Sequence, residues 1–222
     1  MNASLSKQLL LNLRTIPLMG REDYIVSKTN KEAVTWLDIW PNWPSIGFIV
    51  CGPSGSGKSH MAAALKTLSN GLIIEAKDLS ENKLNNLSKN KCLIIEDIDR
   101  FKSENLLLHI YNMLTERRHK LMITSNTPIA NIDFKLPDLK SRLNSMTQIN
   151  IGLPDDELLT NLIIKQFTDR GVLVEFEAIN YLIKRIDRSF ESIAKLVSAI
   201  DASSLEKSKK ITIPFIKKVL KL

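Results

Sequence analysis

The 222-residue chain is predicted to be an α/β protein: a five-stranded parallel sheet flanked by helices, followed by a small helical domain. Three observations predict this class. Short apolar runs alternate with helix-period segments over the first two thirds of the chain. A glycine-rich turn follows the first apolar run, and only helix-period stripes follow Pro154. The hydrophobic and charged fractions, 44% and 25%, are those of a globular protein with a sizeable core.

Five apolar runs are predicted to be the strands, at residues 46–51, 72–75, 92–95, 121–124 and 148–151. The segment 104–117 between two of them places its apolar side chains on one face, which predicts an amphipathic helix. Parallel strands need such crossover helices. The sequence therefore predicts strands and helices in alternation.

The residues after Pro154 show three helical stripes of apolar side chains. These stripes consist of Leu158, Leu159, Leu162 and Ile163; of Ile179, Leu182, Ile183 and Ile186; and of Ile193, Leu196, Val197 and Ile200. We therefore expect an N-terminal extension over 1–20, an α/β domain over 21–153 and a helical domain over 154–222.

The formal net charge of +7 permits contact with nucleic acid or an acidic protein, but the cations are spread along the chain. The sequence has no apolar run of about 18 residues and no secretory signal pattern, so we expect a cytoplasmic protein without a membrane partner. Cys51 and Cys92 border apolar runs and are predicted to be reduced core residues.

The segment 52–59 matches the pattern G-x-x-x-x-G-K-[ST] between a predicted strand and a predicted helix. Glycines there let consecutive N–H groups point inward at phosphates, Lys58 reaches the β and γ phosphates, and Ser59 holds Mg²⁺. The sequence therefore predicts a site for ATP or ADP with Mg²⁺. The predicted nucleotide-binding residues are Gly52, Pro53, Ser54, Gly55, Ser56, Gly57, Lys58, Ser59 and His60. The alternative is a glycine-rich turn that binds nothing.

Two acids, Glu96 and Asp97, follow the apolar run at 92–95, where a P-loop nucleotidase carries an acidic pair. The commoner order is Asp before Glu. With the order reversed, Glu96 is predicted to serve the metal and Asp97 to activate water. The alternative is a solvated strand end without a catalytic role.

Two further segments resemble motifs of the DnaA clade of AAA+ P-loop ATPases. The run 124–126, which ends in Asn126, resembles the sensor 1 of AAA+ proteins, and 136–143 resembles the Box VII segment of this clade. By this resemblance the helical domain is the AAA+ lid. The resemblance implies that Asn126 takes part in catalysis beside Asp97.

Within this clade the chain is most similar to the Hda family of DnaA-homologous regulators. Three features carry the similarity: the C-terminal segment 210–222, which has no DNA-binding helix-turn-helix after it; the run L-P-D-L-x-S-R-L; and an N-terminal segment similar to a clamp-binding peptide. The peptide residues are Gln8, Leu9, Leu10, Leu11 and Leu13. Without the resemblance, an amphipathic N-terminal helix packing on the core would be the preferred interpretation.

The resemblance implies a negative regulator of DNA replication initiation. Such a protein docks on the sliding clamp of DNA polymerase III and promotes hydrolysis of the ATP held by DnaA, with Arg142 as an arginine finger acting in trans. A guanidinium suits this role because it stays charged and spreads its donors over a developing phosphoryl charge. The alternative role for Arg142 is an ion pair with a surface carboxylate. The resemblance allows a homodimer and predicts no direct sequence-specific binding to DNA.

One position departs from the family pattern, because Glu191 occupies the place of the sensor 2 arginine in the lid. A carboxylate there would repel a γ-phosphate. Either Arg188 or Lys195 takes over from nearby, or the protein favours ADP and hydrolyses ATP poorly; we expect the second.

Two rival functions remain at this point. The first, an autonomous AAA+ ATPase or helicase-loader-like motor, predicts strong turnover and self-assembly, against which the acid order and Glu191 argue. The second is a DNA-binding initiator fragment, against which the missing helix-turn-helix argues.

Overall fold

The computed structural model describes residues 19–80, 91–171, 174–205 and 211–220. All five predicted strands are present, each within one residue of its predicted bounds: β1 (Gly47–Cys51), β2 (Leu72–Glu75), β3 (Cys92–Glu96), β4 (Lys120–Ser125) and β5 (Thr147–Asn150). They form one parallel sheet in the order β2-β3-β4-β1-β5. The fold class predicted from the sequence is confirmed.

The helices of the α/β domain lie on both faces of the sheet. They are α1 (Lys31–Asp38), α2 (Lys58–Ser69), α3 (Glu104–Glu116) and α4 (Pro137–Ser145). Because successive side chains of a strand point to opposite faces, Phe48 and Val50 pack with α1 and α2, whereas Ile49 packs with α3 and α4. Every residue of β1 is buried, as expected for a central strand of a parallel sheet.

The aromatic residues ahead of β1 pack in the core on the α1 side. The rings of Trp43 and Phe48 meet edge to face with centroids 4.9 Å apart, and Trp36 packs against the same phenylalanine. The indole Nε1–H of Trp43 donates to the Trp36 carbonyl at 2.7 Å. This contact satisfies the polar edge of a buried indole.

The helical domain contains α5 (Asp156–Thr168), α6 (Phe176–Ile183), α7 (Phe190–Leu205) and α8 (Ile213–Leu220). Their apolar faces form a core of their own around Leu159, Ile163, Leu182 and Val197. Two lid residues, Leu158 and Phe190, belong instead to the core on the α1 side of the sheet, together with Met61 and Leu65. The lid is therefore packed onto the same face of the sheet as α2.

Both cysteines are buried and free, as predicted. In the described part of the chain, no helix is both long and apolar enough to cross a bilayer.

Candidate nucleotide-binding site

The glycine-rich loop leaves the carboxyl end of β1 and leads into α2, whose first helical residue is Lys58. Gly55 and Gly57 have φ angles of +79° and +90°, a region that residues with a Cβ rarely adopt. A Cβ on Gly55 would lie 2.9 Å from Cβ of Phe190, and one on Gly57 would lie 3.0 Å from the hydroxyl oxygen of Tyr24. The loop therefore needs glycine at both positions, for its backbone conformation and for its close approach to neighbours.

Lys58 is buried where this loop joins α2, with only 6% of its surface exposed. Its Nζ donates to the carbonyls of Gly52 at 2.8 Å and Pro53 at 2.9 Å, and to Oδ1 of Asn126 at 3.0 Å. Burial lowers the pKa of this ammonium, and the nearby carboxylate of Asp97 is the strongest influence in the opposite direction. The structure thus holds a cation between the loop and the end of β4.

Asp97 and Asn126 meet where β3 and β4 end, as parallel strands bring their carboxyl ends to one edge. The backbone N–H of Asp97 donates to Thr124 Oγ1 at 3.0 Å, and Asn126 Nδ2 lies 3.4 Å from Asp97 Oδ1. Asp97 adopts a left-handed conformation with φ of +52°, which turns the chain out of β3. The two predicted catalytic residues are therefore neighbours beside Lys58.

Asp99 organises this edge, although no motif in the sequence pointed to it. Its carboxylate accepts from Ser125 Oγ at 2.8 Å, from the Asn126 N–H at 2.8 Å and from the Thr127 N–H at 3.0 Å. Burial pushes the pKa of Asp99 upward, but these hydrogen bonds outweigh it and leave the pKa below its ordinary value. The sequence does contain a signal for Asp99: an acid two positions after the pair Glu96 and Asp97, together with the small polar residues 124–127 at the end of another strand.

The main cavity next to the loop has a volume of about 520 Å³. Six predicted binding residues line it: Ser54, Gly55, Gly57, Lys58, Ser59 and His60. The other lining residues are Met19, Asp97, Arg100, Asn126, Leu162, Lys165, Gln166 and Asp169. This volume falls in the range of roughly 300–1,000 Å³ that small-molecule sites occupy.

A second cavity, of about 70 Å³, lies between residues 23–25, the glycine-rich loop and the lid. Ser56 lines this cavity, and its Oγ is buried without a hydrogen-bond partner, as is the hydroxyl of Tyr24. Burial raises the pKa of Tyr24 to about 12. The Tyr24 ring meets His60 edge on, and His60 Nε2 lies 2.9 Å from the Gly20 carbonyl oxygen. Two buried polar atoms thus remain unpaired beside the loop.

Other predicted site residues lie elsewhere. Glu96 is half-buried at the end of β3, beside Glu75 of β2, and does not line either of these two cavities. Its role as a metal ligand stays a prediction. Arg142 lies on α4, where its Nε donates to Asp138 Oδ1 at 2.9 Å and its guanidinium carbon is 5.6 Å from the centroid of the Tyr111 ring. It does not line these cavities either.

Glu191 and the two lid cations near it, Arg188 and Lys195, also lie outside both cavities. Glu191 pairs with Lys195 at 2.6 Å, and Arg188 pairs with Asp156 at 3.1 Å. The predicted clamp-binding residues, Gln8, Leu9, Leu10, Leu11 and Leu13, fall outside the described residues.

These features fit a nucleotide with its phosphates at the glycine-rich loop. The loop presents glycines in the conformation that such a cradle needs, the N-terminus of α2 favours an anion, and Lys58 supplies a cation. Ser59 and Asp97 would suit Mg²⁺, which is commonly held by one or two carboxylates and the substrate phosphates. Among the described residues, no group of three or more His, Cys, Asp or Glu side chains could hold a metal ion. A metal at this site would therefore need the phosphates of the nucleotide as further ligands.

Comparisons with known proteins agree with this geometry. The family model of the Hda lid domain matches residues 155–220. An uncharacterized protein of Haemophilus influenzae is 28% identical over 193 residues, which cover 79% of this chain and 81% of that protein.

Two solved structures show the fold. Domain III of the Thermotoga maritima replication initiation protein DnaA superimposes with a TM-score of 0.79 at 16% identity, covering 93% of this chain and 97% of that one. The RuvB Holliday junction branch migration motor of Thermotoga maritima gives a TM-score of 0.73 at 15% identity, covering 94% and 73%. Both similarities concern the α/β domain and the lid together. The chain therefore has the fold of AAA+ proteins such as DnaA and RuvB, and its helical domain matches the Hda lid family.

Proposed function

We propose that this protein is an Hda-like negative regulator of replication initiation, a nucleotide-binding protein of the cytoplasm that acts on DnaA. The observation that carries the proposal is the match of the lid to the Hda lid family, in a chain whose α/β domain has the glycine-rich loop 52–59 beside a cavity of about 520 Å³. In the proposed reaction, the protein docks on the sliding clamp of DNA polymerase III and promotes hydrolysis of the ATP bound to DnaA.

The protein's own nucleotide, ATP or ADP, binds at the loop 52–59 and acts mainly as a switch. The solved structure of DnaA from Aquifex aeolicus, similar in fold with a TM-score of 0.70 at 19% identity over 87% of this chain and 68% of that one, is bound to AMPPCP. Lys58 would contact the phosphates, and Ser59 would hold Mg²⁺. Glu96 is the metal ligand that the sequence predicts, but Asp97 lines the cavity and Glu96 does not, so we assign the acidic contact to Mg²⁺ or its water to Asp97. Weak turnover is expected because Glu191 stands where the family pattern has the sensor 2 arginine, and the nearby Lys195 pairs with Glu191 outside the cavity.

The position of Arg142 supports a role in trans. Its side chain is 36% exposed and outside the cavities beside its own phosphate loop, so it is available to another molecule. Asp138, one turn earlier on α4, and the ring of Tyr111 on α3 hold the guanidinium at the surface. An exposed ion pair at this spacing contributes roughly 0.5 kcal/mol, so a phosphate of the partner's nucleotide could displace Asp138 at small cost.

Residues 8–13 would make the contact with the clamp. A short segment of this kind would insert Leu11 and Leu13 into an apolar groove, while Gln8 sets the register by polar contacts. Clamp docking and the arginine finger would then depend on different segments of the chain, since Arg142 belongs to α4 of the α/β domain.

The test is hydrolysis of DnaA-bound ATP in the presence of clamp-loaded DNA. We expect the wild-type protein to stimulate hydrolysis, and Arg142→Ala to lose on the order of a hundredfold or more of the stimulation, as arginine fingers acting in trans do. Gln8→Ala should lose the stimulation that depends on clamp-loaded DNA, because this variant is expected to dock poorly on the clamp.

Lys140→Ala is the matched control, because Lys140 is an exposed cation on the same helix and is two residues away from Arg142. It should stimulate hydrolysis as the wild type does. If the folded wild-type protein has no effect on DnaA but hydrolyses ATP rapidly by itself, the autonomous motor becomes the better interpretation.

A further inference from the structure

The lid contributes one face of helix α5 to the main cavity. Leu162, Lys165, Gln166 and Asp169 line it at spacings of three, four and seven residues, which places them on one side of a helix. Leu162 and Lys165 also line the smaller cavity beside Tyr24. Lys165 therefore lies where the two cavities adjoin, opposite the glycine-rich loop that lines both.

Lys165 is held loosely by two carboxylates. Its Nζ lies 3.4 Å from Asp169 Oδ2 and 3.8 Å from Asp23 Oδ1, and its side chain is 24% exposed. Both distances exceed the 2.7–2.9 Å or so of a good charge-assisted hydrogen bond. The ammonium can therefore exchange these partners for an anion that enters the cavity.

Two other cations of the lid, Arg188 and Lys195, line neither cavity. Arg188 and Lys195 are 66% and 76% exposed and are paired with Asp156 and Glu191. Among the described lid residues, Lys165 is the one lysine or arginine that lines either of the two cavities. The lid thus has a cation on the nucleotide side, but on α5 and not at the start of α7.

We propose that Lys165 binds the phosphate chain of the nucleotide and is the lid's phosphate-contacting residue in this protein. The inference rests on the proposed nucleotide binding at the loop 52–59. On binding, the ammonium would leave Asp169 and Asp23 for the phosphate oxygens, which are stronger acceptors with more charge. The same phosphates would then contact Lys58 of the α/β domain and Lys165 of the lid, so the nucleotide would join the two domains.

The test compares ligands with and without phosphates. ADP and adenosine are each measured by displacement of a fluorescent ADP analogue from the full-length wild type and from Lys165→Met, which keeps the side-chain length and removes the charge. We expect the affinity for ADP to fall about tenfold, the equivalent of one charge-assisted hydrogen bond, and the affinity for adenosine to change less than twofold. Lys165→Arg should retain ADP binding within about threefold of the wild type.

Lys195→Met is the matched control, since this lid lysine is also paired with a carboxylate one turn away but lies outside the cavities. It should bind ADP as the wild type does. Equal losses for ADP and adenosine in Lys165→Met would overturn the inference, because they would indicate a packing role. Binding that is lost in Lys58→Ala but intact in Lys165→Met would overturn the inference and leave the proposed function standing; a wild type that binds no ADP would overturn both.

Discussion

The phosphate end of the nucleotide site differs from the end beside Tyr24 in how completely it is formed. At the phosphate end, Lys58 has three acceptors, Asp99 accepts three close hydrogen bonds, and the cavity is about 520 Å³. At the other end the cavity is about 70 Å³, and the Tyr24 hydroxyl and Ser56 Oγ are buried without partners.

This difference follows from what builds each end. The phosphate end consists of strand ends and a loop fixed by the parallel sheet, so its groups are positioned before any ligand arrives. The Tyr24 end is formed where three separate segments meet: residues 23–25, the glycine-rich loop, and the lid residues Leu158 and Phe190. The phosphate end is therefore formed before a ligand binds, whereas the end beside Tyr24 depends on how these three segments pack together.

The largest effect is expected at the phosphate end, from Lys58→Ala. Removing the ammonium should reduce the affinity for ADP by about a hundredfold or more, because the charge-assisted contacts to phosphate are lost. Isothermal titration calorimetry measures this loss, with Lys66→Ala on the exposed face of the same helix as control. Binding that survives in Lys58→Ala would show that the Tyr24 end, and not the loop, dominates the affinity.

Asp99→Asn should lower the free energy of unfolding by about 1 to 2 kcal/mol at pH 7. This value is less than the sum of three hydrogen bonds because water partly screens a half-buried carboxylate. Urea denaturation of both proteins measures it. The exposed acid Asp133, changed to Asn, should shift stability by less than about 0.5 kcal/mol.

The same variant has a predicted pH signature. The pKa of Asp99 is lower in the folded state than its unfolded value of about 3.9, so its stabilisation is complete well above that value. It is lost as the pH falls through the folded-state pKa. The stability difference between wild type and Asp99→Asn should therefore shrink below about pH 4. If this stability difference stays constant down to pH 3, the ionised carboxylate of Asp99 does not stabilise the phosphate end.

The smallest effect is expected at the other end, from Tyr24→Phe. Because the hydroxyl is buried and unpaired, its removal should raise the free energy of unfolding by about 1 kcal/mol in the absence of nucleotide. Urea denaturation tests this, with Tyr181→Phe, a half-exposed lid tyrosine, for comparison. A loss of stability instead would show that the hydroxyl has a partner and that this end is as well ordered as the phosphate end.

Much of the fold could be predicted because its signals are local. Apolar runs of four to six residues mark strands, and the run 52–59 combines a strand end, glycines and a helix start in one motif. The order of the strands in the sheet could not be predicted from such local patterns. β1 pairs with β4 and β5, which lie far along the chain, and nothing in the local pattern encodes those neighbours.

The site shows the same division. Lys58, Asp97 and Asn126 could be selected because each follows a recognisable strand or motif, and the structure brings them together. Asp99 was missed because its role depends on where β4 ends. Lys165 was missed because the family pattern directs attention to position 191, whereas the packing of the lid turns α5 towards the cavity.

The sequence by itself determined the α/β class, the lid and the phosphate cradle, since periodicity and glycine spacing act through neighbouring residues. Only the tertiary structure decided that Asp99 accepts hydrogen bonds from residues 125–127, that Arg142 lies at the surface, and that Lys165 instead of Arg188 or Lys195 lies beside the glycine-rich loop. The physical reason is that the hydrogen bonds of Asp99 join residues 26 to 28 positions apart, and that Lys165 is more than 100 positions away from the loop beside it. The packing of the sheet and the lid sets these distances.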